Sequence, residues 1–76
     1  PNPACEKLYL SLNANQSVES RIEIIDVLGR TVWQAAARLL TGHNILEVDL
    51  HKFDKGVYEV KIIEGKGTGN IKFLKL

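Results

Sequence analysis

The sequence predicts an all-β protein, an antiparallel sandwich of six or seven short strands. Three observations carry the prediction. Five segments alternate apolar and polar residues with a period of two, the pattern of strands buried on one face. Glycine-bearing turns interrupt the chain about every ten residues. No strand pattern alternates with a long helical one, which argues against a parallel α/β sheet.

Taken in order, Pro1-Asn2-Pro3-Ala4 cannot form a regular element, because each proline fixes φ and removes a donor. Residues 7–12 alternate, with Leu8, Leu10 and Leu12 on one face and Lys7, Tyr9 and Ser11 on the other. Residues 13–17 read as a polar connection. Residues 21–27 alternate again, Ile22 and Ile24 inward and Glu23 outward, until Leu28-Gly29-Arg30 turns the chain. Thr31-Val32-Trp33-Gln34 returns as a strand. Ala35-Ala36-Ala37-Arg38-Leu39-Leu40 favours helix by composition, but it is shorter than the ~12–15 residues at which an isolated helix holds. The expectation there is a continued edge strand or a loop. Residues 44–50 point Leu46, Val48 and Leu50 inward, and residues 51–56 turn around a single apolar anchor, Phe53. Gly56 precedes the clearest strand, with Tyr58, Val60 and Ile62 on one face and Glu59 and Lys61 on the other. Residues 64–69 form the next turn, and Asn70-Ile71-Lys72-Phe73-Leu74-Lys75-Leu76 forms the last strand. The predicted core is Leu8, Leu10, Ile22, Ile24, Leu46, Val48, Tyr58, Val60, Ile62 and Phe73.

A chain of 76 residues holds one domain, whose core contributes about 3–5 kcal/mol. Cys5 is the only cysteine, so no internal disulfide adds to that. Ten basic and nine acidic residues are scattered, with no basic stripe of the kind that binds nucleic acid. No apolar run approaches the ~18 residues that span a bilayer, and no signal-peptide pattern opens the chain. The sequence has no methionine and starts on Pro1-Asn2-Pro3, which reads as the end of a linker. The expectation is a domain from the C-terminal end of something larger, with residues 1–5 as linker and 6–76 as sandwich.

No chemistry emerges from the residues alone. His43 and His51 fall in predicted turns, and zinc wants three or four ligands brought together. Cys5 lacks an activating helix terminus. Gly65-Lys66-Gly67-Thr68-Gly69 resembles a phosphate loop in composition only, because a strand rather than a helix follows it. Asp26, Asp49 and Asp54 do not match a calcium loop, and Asp26 suits a turn-forming role instead. No cofactor, metal, nucleotide or nucleic acid is expected. A carbohydrate platform would have to draw on Tyr9 and Trp33.

Four short motifs occur in order: Pro1-Asn2-Pro3 before an alternating strand; Ile22-Glu23-Ile24-Ile25-Asp26-Val27-Leu28-Gly29-Arg30; residues 50–55 leading into Gly56-Val57-Tyr58; and a terminal Lys72-Phe73-Leu74-Lys75-Leu76. Together they resemble the type A C-terminal sorting domains of the type IX secretion system of Bacteroidota, over essentially the whole chain. The resemblance implies an immunoglobulin-like sandwich of about seven strands that directs a passenger through an outer-membrane translocon. It implies translocon, shuttle and sortase components as partners, a covalently attached N-terminal passenger, no catalysis, and a secreted or cell-surface destination. It assigns recognition to Gly56, Tyr58, Lys72, Phe73, Leu74, Lys75 and Leu76, and structural roles to Pro1, Asn2, Pro3, Asp26 and Gly29. Lys72 and Lys75 are expected to face water together as a basic tip. The alternative is a non-catalytic sandwich module for carbohydrate binding or adhesion.

Overall fold

The computed structural model describes residues 6–65 and 67–76. Six strands follow one another: β1 (Lys7–Ala14), β2 (Val18–Ile25), β3 (Thr31–Leu39), β4 (Gly42–Asp49), β5 (Gly56–Glu64) and β6 (Gly67–Lys75). The described residues contain six strands, within the six or seven read from the sequence and one fewer than the seven or so that the resemblance implies, and no helix. They form two antiparallel sheets, one of β1-β4 and one ordered β3-β2-β5-β6. The chain therefore changes sheet at the β1–β2, β3–β4 and β4–β5 connections, so sequence neighbours face each other across the core. This is the build of an immunoglobulin-like sandwich, in which both apolar faces are hidden together.

The core is what period-two alternation dictates. Leu8 and Leu10 from β1, Val48 from β4 and Leu50 just beyond it meet Ile22, Ile24, Tyr58, Val60, Ile62 and Phe73 from the larger sheet. Nine of the ten predicted core residues are buried; Leu46 is half-buried and packs against the cluster. Leu39 and Leu50 are fully buried as well. Ser20 is the one buried polar residue among those described, and its hydroxyl donates to the Ala37 carbonyl at 2.8 Å. That bond removes the cost of hiding the hydroxyl.

Several boundaries differ from the sequence expectation: β1 runs on to Ala14, and β4 starts at Gly42, so His43 lies in a strand rather than a turn. The second strand runs Val18–Ile25 rather than residues 21–27, and Val27 is 77% exposed in the turn. The alanine run continues the edge strand to Leu39, one of the two conformations expected for it, because Ala35, Ala36 and Ala37 pair with Ile22, Arg21 and Ser20 of β2. Pairing along a whole neighbouring strand outweighs a preference of a few tenths of a kcal/mol per residue for helix. The last strand begins at Gly67, opposite Glu64, so the β5–β6 hairpin is tighter than residues 64–69 suggested.

Candidate functional site

The motif residues gather at one end of the sandwich. The β2–β3 turn, the β4–β5 connection and the start of β5 together line a cleft of about 590 Å³ that includes Leu28, Trp33, Phe53, Gly56 and Tyr58. The end of β6 lies beside this cleft, because Tyr58 pairs with Phe73 and Gly56 with Lys75.

Asp26 builds the first wall. Its Oδ1 accepts from the backbone N–H of Leu28 (3.0 Å) and of Arg30 (2.9 Å), and its Oδ2 accepts from Arg30 Nε at 2.8 Å. The Asp26 N–H donates to the Arg30 carbonyl, closing the loop. The Arg30 backbone N–H, with the guanidinium and the Leu28 N–H adding to it, holds the carboxyl below its ordinary value. Gly29 sits at φ 83°, in the left-handed region where a side chain is strained. The turn is thus fixed by its own atoms, and it holds Val27 and Leu28 in water at 77% and 74% exposure.

Tyr58 builds the second wall. Its hydroxyl donates to the Asp54 carbonyl at 2.7 Å, four residues upstream, which ties the β4–β5 connection to β5. This matches the tyrosine corner of immunoglobulin-like folds. Its ring stands edge-on to Phe53 (5.3 Å, 71°) and stacks on Phe73 (5.5 Å, 21°). Burial raises the phenol above its ordinary value, and the Asp54 and Asp26 carboxylates add to the effect. Gly56, at φ 150°, opens the strand in a conformation L side chains rarely adopt.

The terminal strand divides by face. Phe73 is buried, while Leu74 and Leu76 are exposed on the outer face, Leu74 opposite exposed Val57. Lys72 shares that outer face and sits opposite Glu59. Lys75 does not: side chains alternate, so it lies on the face of Phe73, half-buried, with Nζ donating to the Leu76 carbonyl at 2.9 Å. That alternation corrects the expectation of one shared tip, since Lys72 and Lys75 leave β6 on opposite faces, although the Lys75 bond to the chain end is itself exposed. The outer surface here is Val27, Val57, Leu74 and Leu76 edged by Lys72, not a pair of cations.

Other sequence candidates separate. Pro1, Asn2, Pro3 and Cys5 lie outside the described residues, as does Lys66. His43 contacts Ser11 and Asn13 on the outer face of the small sheet, while the His51 N–H donates to Asp49 Oδ1. No three His, Cys, Asp or Glu residues among those described stand close enough to hold a metal ion. Tyr9 faces outward on β1 and bonds Glu47, whereas Trp33 packs against the core from β3, so the two share no platform. Val27 and Leu28 escaped the sequence reading as surface features. The available signal was an apolar pair enclosed between a turn-forming Asp26 and Gly29.

No curated protein matches the chain. A model of the secretion-system C-terminal sorting domain matches residues 1–75, and the cleft, the tyrosine corner and the terminal strand all lie inside that span. A protein bearing such a domain is secreted or held at the cell surface, and the domain is a non-catalytic signal. The chain belongs to the C-terminal sorting domains of type IX secretion.

Proposed function

We propose that this domain carries an N-terminally attached passenger across the periplasm and the outer membrane. It does so by presenting the cleft end of the sandwich to the translocon and its shuttle, and a sortase then acts on the linker ahead of residue 6. In this reading Gly56 and Tyr58 shape the surface, Phe73 anchors the terminal strand, and Lys72, Leu74 and Leu76 meet the machinery. Lys75 seats the chain end. One observation carries the proposal: three of the four sequence motifs converge on one end of the fold, where apolar side chains are held in water by a turn that is rigid without them. Exposed apolar groups rimmed by charge are a common form of protein docking surface.

The test is a reporter fused ahead of residues 1–76 in a type IX-competent host. Lys72→Gln with Leu74→Ser and Leu76→Ser keeps every buried contact of Phe73, so the melting transition stays cooperative. The variant is expected to leave the reporter in the periplasm. Surface delivery at wild-type level, with the fold intact, would remove these residues from the recognised surface.

A further inference from the structure

Four strands bound the two sheets: β1 and β4 the smaller, β3 and β6 the larger. An open edge offers backbone donors and acceptors to any extended chain, and proteins guard such edges with charge. β1 carries Lys7, β4 carries Glu47 and Asp49, and β6 carries Lys72 and Lys75. β3 is different. Between Arg30 and Arg38 it has no charge over residues 31–37, and three of those residues are alanines, which strands disfavour. Among the described residues β3 has β2 on one side and no strand on the other.

The side chains fit a second copy. In an antiparallel pairing about a two-fold axis at Ala35, Ala35 meets its own image. Trp33 meets Ala37 of the second copy, Gln34 meets Ala36 of the second copy, and symmetry repeats both. On the core side this sets the half-buried indole against the small Ala37, large against small, twice. On the solvent side, Arg21 flanks Ala36 and Glu23 flanks Gln34 within each copy. The row crossing the junction therefore runs Arg21, Ala36, then Gln34 and Glu23 of the second copy, with cation and anion at its two ends. Arg38 falls opposite Val32 of the second copy, where the β2–β3 register already shifts, so no like charge faces its image. A shift of one register unit that mixed faces would set Trp33 beside the outward Arg38.

We propose that β3 pairs with β3 of a second copy, joining two four-stranded sheets into one continuous sheet. The contact is isologous and closes on itself. It lies at the opposite edge of the sheet from β6, so it leaves the terminal strand available, and it meets the cleft only where Val32 and Trp33 line both.

The test places single cysteines in a Cys5→Ser background of the 76-residue chain. Directly opposed residues stand about 4.5–5.5 Å apart, within disulfide reach. Under mild oxidation Ala35→Cys is expected to give a disulfide dimer in high yield. Gln34→Cys and Ala36→Cys should cross-link with each other and each poorly with itself. Sedimentation equilibrium of the cysteine-free chain should approach twice the monomer mass as concentration rises. Ala35→Lys, which sets two ammonium groups face to face, should weaken association at least tenfold with an unchanged circular dichroism spectrum. A monomer at every concentration, equal cross-linking at the three positions, or a dominant self-cross-link at Ala36→Cys would overturn the proposal.

Discussion

Asp26 commits both carboxylate oxygens to its own turn, and that makes the turn sensitive to acid. Its folded-state value is depressed from the ordinary 3.8, chiefly by the Arg30 N–H. A depressed carboxylate stabilises the fold above its unfolded value, and the contribution is lost as pH falls through the folded one. Asp26→Asn should therefore melt lower than the parent by a constant margin above about pH 5, and the margin should shrink toward zero below the ordinary carboxylate range. Thermal melts from neutral to acid pH measure it; a margin that does not change with pH would contradict the assignment. The exposed Lys7–Glu47 pair has its own acid dependence, with Glu47 lowered by Lys7, but it is common to both proteins and cancels in the difference. Tyr58→Phe isolates the hydroxyl bond to Asp54 while keeping both ring contacts. The expected loss is about 1 kcal/mol in urea unfolding. A neutral result would mean the corner contributes nothing to the β4–β5 connection.

At the scale of the element, legibility followed the alternation. β1, β4 and β5 could be read because every second residue is a large aliphatic or aromatic one, and a one-residue slip would turn the whole set outward. β2 was misplaced at both ends for related reasons. Its first fully buried residue is Ser20, a polar side chain made tolerable by a bond to Ala37 that no local pattern reveals, and its apparent last residue is Val27, an apolar group in water. β3 was ambiguous because alanine has no preference for strand, and its conformation comes from pairing with β2. At the site, the importance of Tyr58 and Phe73 was visible in their spacing, but their stacking across β5 and β6 was not, since pairing register is a long-range fact. The separation of Lys72 from Lys75 followed from parity alone. β6 also gives the sharpest stability contrast. Phe73→Ala removes a fully buried ring at a cost of about 3–5 kcal/mol, comparable with everything a core of this size supplies. The variant should be largely unfolded by circular dichroism at room temperature. A cooperative melt close to the parent would show that the terminal strand is not part of the folding unit.

The whole molecule is a small sandwich whose two ends differ in character. One end, around residues 26–30, 53–58 and 72–76, combines a self-bonded turn, a tyrosine corner and exposed apolar side chains. The other, around the β5–β6 hairpin, is glycine-rich. Glu6 and Lys7, the first described residues, lie beside Leu50 and Asp49, so the chain enters the sandwich at the same end that carries the cleft and the exposed apolar side chains. The most direct measurement is surface delivery of a fluorescent reporter carrying a periplasmic signal peptide ahead of residues 1–76, compared in a type IX-competent host and in the same host lacking the translocon. The predicted result is protease-accessible reporter at the surface of the competent cells and reporter confined to the periplasm of the others. Equal confinement in both hosts, with the domain folded, would contradict the assignment of this chain as a sufficient sorting signal.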